Sequence, residues 1–350
     1  MNQLASPRRH PRLSHRAALV LGLCVLGASA CQRLDFDLDP RVGDAGRVRF
    51  TGGGCTSSVT LAVGASETFT IESASTAPLP DGLGALSESP EIIDVTPGEA
   101  PGTVDLRAHA VGESRLVVTL PDGGSFDTIT FRADVARLVH YATAPRVFRG
   151  GTLDVAIGET YGACALDPDT DNLEGCRLVG HGFLGWSVEP PEAGAVYADR
   201  EGTASLRTAL VGAARIVGVE RSEGWELVRH GFEVVSEADA GELVATATAL
   251  SMFSDEPLPP VTLPGTIQLG DGFVVALAAK LPDGTLVPIS RRDAFWRAEG
   301  CESVAPAPSS YQGASLDTLF LAGGLCTVAL AVDVPFLGKS GEFTLTIAAP

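Results

Sequence analysis

The sequence predicts an all-β fold: tandem two-sheet sandwiches built from short strands. Three observations predict it. Apolar and polar residues alternate in short runs. In Asp127–Val135, Ile129, Phe131, Ala133 and Val135 share one face, and Thr128, Thr130, Arg132 and Asp134 share the other. Breakers are spread along the chain, 40 Gly and 23 Pro, and no stretch sustains a 3.6-residue period between helix caps. The chain also repeats itself: TVDLRAHAVGESRLVVTL from Thr103 returns as TASLRTALVGAARIVGVE from Thr203, offset by 100 residues without a gap.

Taken in order, residues 1–30 read as a secretory signal peptide. Arg8, Arg9, Arg12 and Arg16 precede Ala17–Ala30, which is apolar or small throughout and, at 14 residues, shorter than the roughly 20 a spanning helix needs. Arg8-Arg9 lacks the context of a twin-arginine signal. The end of this segment reads two ways. Ala28-Ser29-Ala30 is an A-x-A site for ordinary signal peptidase. The same stretch resembles the lipobox of bacterial lipoproteins on Ala30 and Cys31, with Ala28 where that family favours Leu. The resemblance implies lipidation at Cys31, a membrane partner through the N-terminal lipid, and a place in the bacterial cell envelope, at the outer membrane. The first reading implies a periplasmic or secreted protein. Residues 31–50 are expected to form a tether, at most roughly 65 Å when extended.

Three units are expected next, at 51–135, 136–236 and 237–350. A third copy of the repeat is TLFLAGGLCTVALAV from Thr318, with Gly324 in the place of Gly112 and Val328 in that of Leu116. Each copy reads as strand, Gly turn, strand. Upstream, Gly64 before Thr68–Ile71 matches Gly150 before Asp154–Ile157 and Gly270 before Val274–Leu277. Each unit ends on an alternating strand, around Phe131, Phe232 and Phe343. Turn signals such as Pro121-Asp122-Gly123-Gly124 and Pro282-Asp283-Gly284 separate the strands.

Residues 58–135 resemble the bacterial immunoglobulin-like domains of surface proteins, notably the group 2 type. VTLAVGASETFTI, PEIIDV and AVGESRLVVTL carry the likeness. Trp186, in GWSVEP, and Trp296 stand where such domains often place a core Trp on the third strand. The resemblance implies three immunoglobulin-like β-sandwiches and a surface role, and it implies no chemistry.

Charge excludes one class of partner. Residues 1–30 hold four of the 25 basic residues and no acid, so the chain from Cys31 carries 21 basic and 43 acidic residues, net −22. Such a chain repels phosphate backbones, and nucleic-acid binding is not expected. Catalytic signatures are missing too: there is no G-x-S-x-G, H-E-x-x-H, P-loop or Rossmann fingerprint. His109, His140, His181 and His230 are scattered, and a structural or surface role fits them better than general-base catalysis.

Of the seven Cys, Cys24 leaves with the signal peptide. Pairing within units joins Cys164 to Cys176 and Cys301 to Cys326, as suits an exported chain. Cys31 and Cys55 form a coupled question: acylated Cys31 leaves Cys55 odd, whereas free Cys31 permits a 31–55 disulfide. Between Cys164 and Cys176, Asp167, Asp169, Asp171 and Glu174 supply hard oxygens at a spacing calcium uses. An EF-hand is excluded by Asn172 and Leu178, which replace its Gly and its bidentate Glu. The open alternatives are a looser calcium site at Asp167, Asp169 and Asp171, or an acidic turn closed by a disulfide. No other cofactor is expected. The function expected is that of a non-catalytic envelope lipoprotein, binding or scaffolding at the surface, with a protein or glycan partner. The alternatives are a secreted binding module and an accessory domain array of an envelope enzyme complex.

Overall fold

The computed structural model describes residues 41–52, 59–166, 176–198, 203–250, 259–268, 272–301, 304–306, 318–322 and 324–349. Residues 1–30, expected to be a signal peptide, and Cys31, Cys55, Asp167, Asp169, Asp171 and Glu174 lie outside the described residues. What is described is all-β, with a few single 3-10 turns between strands.

Unit one is built from β1 (Val48–Gly52), β2 (Thr60–Ala62), β3 (Ser66–Ser73), β4 (Gly84–Ser87), β5 (Ile93–Pro97), β6 (Thr103–Ala108), β7 (Gly112–Thr119) and β8 (Ser125–Asp134). One sheet runs β1-β3-β6-β5 and the other β2-β8-β7-β4. The alternating residues meet between them: Phe50, Phe69 and Phe131 are fully buried and pack edge-on, with ring centroids 5.2–6.4 Å apart.

Unit two contains β9 (Leu138–Thr143), β10 (Arg146–Phe148), β11 (Thr152–Tyr161), β12 (Arg177–Leu178), β13 (Leu184–Glu189), β14 (Gly194–Ala198), β15 (Thr203–Thr208), β16 (Gly212–Glu220) and β17 (Glu226–Val235). Its sheets repeat the order of unit one. β9 and β15 flank β11, β14 follows β15, and the facing sheet runs β10-β17-β16-β13.

Unit three contains β18 (Leu243–Leu250), β19 (Val261–Thr262), β20 (Gly265–Gln268), β21 (Gly272–Lys280), β22 (Leu286–Ile289), β23 (Phe295–Glu299), β24 (Val304–Pro306), β25 (Thr318–Ala322), β26 (Cys326–Val334) and β27 (Lys339–Ala348). One sheet runs β19-β18-β21-β25-β24, with β22 on β21, and the other β20-β27-β26-β23. In every unit the first strand pairs in one sheet. A short strand then crosses to run parallel with the last strand of the other: β2 on β8, β10 on β17, β20 on β27. This is an immunoglobulin-like sandwich three times over.

The sequence repeat falls on the pairs β6–β7, β15–β16 and β25–β26. Its recurring glycine has a backbone reason, because Gly112 and Gly212 adopt φ of 150° and 131°, which L side chains rarely take. Trp186 lies on β13 and Trp296 on β23, the third long strands of their units. Trp296 packs against Phe320 and Phe343 at 6.1 Å in each case.

One expected boundary is corrected. Residues 41–50 are not tether. β1 begins at Val48, and the turn before it is fixed by Asp127 of β8. Oδ1 of Asp127 accepts from the Ala45 amide at 2.8 Å; Oδ2 accepts from the Arg47 and Val48 amides at 2.9 and 3.1 Å. The partners stand about 80 residues apart, a pairing that no local pattern announces.

Candidate functional site

Both expected disulfides are formed, Cys164–Cys176 and Cys301–Cys326. The first closes a loop at the end of β11, where the Gly162 amide also donates to the Cys176 carbonyl at 2.8 Å. The second joins the end of β23 to the start of β26. The four histidines do not converge. His109 follows β6. His140 Nδ1 is 3.7 Å from Glu159. His230 Nε2 meets the Ala144 carbonyl at 3.1 Å. His181 lies at the contact between units one and two. Among the described residues no group of three or more His, Cys, Asp or Glu is placed to hold a metal ion.

What the structure does bring together is the two junctions. The first is a strand exchange. After Cys176, β12 pairs with β11, and the chain then leaves its own unit to pair with unit one. The Ala62 amide donates to the Val179 carbonyl (3.0 Å) and the Val179 amide to the Thr60 carbonyl (2.9 Å). Ser66 and His181 exchange both backbone bonds at 2.9 Å. The side chains cross over as well. Val179 is buried in the core of unit one, while Ala62 and Ala65 are buried in that of unit two. Between the two backbone pairings, Gly180 takes φ +101°, and a Cβ there would stand 2.8 Å from the Ala65 Cβ. His181 Nε2 lies 3.2 Å from Oε2 of Glu67, whose side chain is nearly buried.

The second junction is a reciprocal carboxylate exchange. Asp154 on β11 points outward from unit two and is covered by unit three. It accepts from Ser205 of its own sheet at 2.6 Å, from Ser290, and from Arg292 Nε at 3.3 Å. Asp293 of unit three reaches back. It accepts from the Thr152 amide at 2.6 Å, the Thr152 hydroxyl at 3.1 Å and the Arg207 guanidinium. Both carboxylates are 5% exposed; Asp293 takes these partners from unit two, and Asp154 takes two of its three from unit three. Phe148 of β10 is buried in the core of unit three, and the Arg207 guanidinium stacks 5.7 Å from the Phe336 ring. Arg149 pairs with Glu237 beside it. This exposed pair holds the Glu237 carboxyl below its ordinary value through the side-chain hydrogen bond from Arg149.

The two junctions share a plan. Each takes the turn entering the second long strand of one unit and sets it against the segment between the second and third long strands of the next. Sequence reading missed Val179, Asp154, Arg207, Arg292 and Asp293. The one signal was Asp154, a carboxylate within a strand where the aligned position of unit one is Thr68. These groups order and bury one another. They leave no open nucleophile, and chemically they make a fastening.

No protein-family model matches the chain, and no curated protein matches it. Among solved structures it is similar to domains 4–9 of the surface layer protein SbsC. Identity there is 14%, over 86% of this chain and 48% of that one, with a TM-score of 0.31. It is also similar to FdeC, an Escherichia coli adhesin (14% identity, 83% and 94% coverage, TM-score 0.25), and to invasin, described as a bacterial integrin-binding protein (12%, 87% and 60%, 0.22). The chain spans about half the length of the SbsC fragment. At these scores the likenesses add nothing to the fold, which rests on strand order and pairing.

Proposed function

We propose that the protein is a non-catalytic surface module of the bacterial cell envelope. Its three immunoglobulin-like sandwiches, of the group 2 type, form a stiff stalk anchored by a lipid on Cys31. The end of unit three furthest from the anchor is offered to a protein or glycan partner. The observation that supports this reading is the pair of fastened junctions. Units that exchange Val179 for Ala62 and Ala65, and Asp154 for Asp293, do not swing on free linkers. The longest strands have 10 residues, about 33 Å at 3.3 Å per residue, so three units in series reach about 100 Å.

The test has two arms. Cells given an alkyne fatty acid should label the wild-type chain and not Cys31→Ala; equal labelling, or none in either, rejects the anchor. Small-angle X-ray scattering of the mature chain should give a rod with a maximum dimension near 100 Å. A distribution typical of beads on flexible linkers rejects the stalk.

A further inference from the structure

The strand exchange at the first junction rests on a short segment of unit two. The Ala62 and Ser66 amides of unit one donate to the Val179 and His181 carbonyls, and the Val179 and His181 amides donate back to the Thr60 and Ser66 carbonyls. Two points hold this segment in its own unit. Downstream, Phe183 is buried in the core of unit two. Upstream, Cys176 stands three residues before Val179; it is bonded to Cys164, and its carbonyl accepts from the Gly162 amide at 2.8 Å. Between the two points β12 adds a ladder of two residues to the end of β11, with Leu178 buried.

The disulfide sets how much chain is free when the segment lets go of unit one. With the bond closed, seven residues separate Cys176 from Phe183. With it open, the upstream point retreats to Tyr161 at the end of β11, 22 residues from Phe183. The released segment then gains freedom by about fivefold for the longer loop, and by up to about a hundredfold for opening a ring of 12 residues. The other disulfide has no such place. Cys301 and Cys326 lie at one end of β23 and β26, whereas Ser290, Arg292 and Asp293 precede β23 and Phe336 follows β26, at the far end of both strands. The two sulfurs of the first bond also differ in access: Cys164 is exposed and Cys176 is buried.

We propose that Cys164–Cys176 is a redox latch on the first junction: closed, it fastens unit two to unit one, and reduced, it loosens them. The reductant is a dithiol. Its thiolate attacks Sγ of the exposed Cys164, the Sγ–Sγ bond breaks, and the bonding pair leaves on Sγ of Cys176, which takes up a proton. The second thiol then displaces Cys164 from the mixed disulfide. Two electrons have passed to the protein, two free thiols remain in it, and the reductant departs as its own disulfide. Closing the latch is the reverse exchange with a disulfide-bearing oxidant. The effect reaches beyond the unit that carries the bond, because Val179 belongs to the core of unit one, which has no cysteine among its described residues.

Hydrogen exchange on the mature chain, read residue by residue before and after millimolar dithiothreitol, tests the proposal. The Ala62, Ser66, Val179 and His181 amides should exchange at least about fivefold faster once the bond is reduced. Ile216, in the middle of β16, should keep its protection, and so should the Thr152 amide at the second junction. The double variant Cys164→Ser/Cys176→Ser should reproduce the reduced pattern without any reductant, and Cys301→Ser/Cys326→Ser should leave the four amides as they were. Changes below about twofold at Ala62 and Ser66, in both the reduced chain and the first double variant, overturn the proposal. So does equal acceleration at Ile216, which would make the bond a brace of unit two alone. A bond that the dithiol leaves intact in the folded chain overturns it as well.

Discussion

Asp127→Asn is the sharpest perturbation available in unit one. Oδ1 of Asp127 takes the Ala45 and Thr128 amides, both at 2.8 Å, and Oδ2 takes the Arg47 and Val48 amides. Asn has the same shape but one acceptor oxygen. With that oxygen on the first pair of amides, its NH2 faces the second pair, donor against donor. Each buried amide left without an acceptor costs about 1–3 kcal/mol, so the substitution should destabilise unit one by about 2–4 kcal/mol. For a domain of this size that lowers its melting temperature by roughly 10–25 °C. All three Trp lie outside unit one, so fluorescence is the wrong probe. Calorimetry, with hydrogen exchange at the β1 amides, is the right one.

Acid gives the second half of the same test. Burial pushes the Asp127 carboxyl up, but the four backbone donors outweigh it and hold it below its ordinary value of 3.8. The unfolded chain therefore binds the proton first. The stabilisation is complete above the unfolded value and is lost as pH falls through the lower folded one. The wild-type chain should lose this component below about pH 4, and Asp127→Asn should have none to lose. A loss under about 0.5 kcal/mol at neutral pH would refute the reasoning, since it would show that the 45–48 turn holds without the carboxylate.

Three further outcomes are expected. Asp293→Ala strips the Thr152 amide and Arg207 of their acceptor. It should loosen units two and three by about 2–4 kcal/mol, read as faster exchange at Thr152 and a broader scattering distribution; unchanged exchange contradicts the reciprocal fastening. Gly180→Val forces a side chain into φ +101° and against Ala65, which should weaken the first junction by about 2–4 kcal/mol, and a double-mutant cycle with Val179→Ala should be non-additive. If Asp167, Asp169 and Asp171 form only an acidic turn, millimolar calcium leaves the melting of unit two unchanged. A clear rise would assign them as ligands.

Much of the fold was legible because local constraints leave marks. The glycine that opens β7 and β16 is repeated because the backbone there needs positive φ. The alternation Ile129-Phe131-Ala133-Val135 follows from one buried face. Trp186 and Trp296 marked the third long strands. The pairing of Cys164 with Cys176 and Cys301 with Cys326 followed from parity and proximity. The junctions were not legible, and the reason is physical. Asp154 occupies an outward strand position, where a carboxylate ordinarily meets water, and only a second unit arriving from residues 290–293 buries it. Val179 reads as part of a loop in unit two, because nothing local shows that its partners are Thr60 and Ala62. Residues 45–48 read locally as linker for the same cause: Asp127 captures that turn from the far end of the unit.

The crossing of Val179 also has a consequence in time. Unit one is encoded ahead of unit two and emerges first wherever the chain is threaded from its N-terminus. Yet the strand that closes its β2 edge and one of its core side chains arrives only when the chain has passed through to His181. Unit one must wait, part-built, with that edge open, and completing it draws unit two into register at the same moment. The order of emergence thereby becomes an order of assembly, from unit one to unit two.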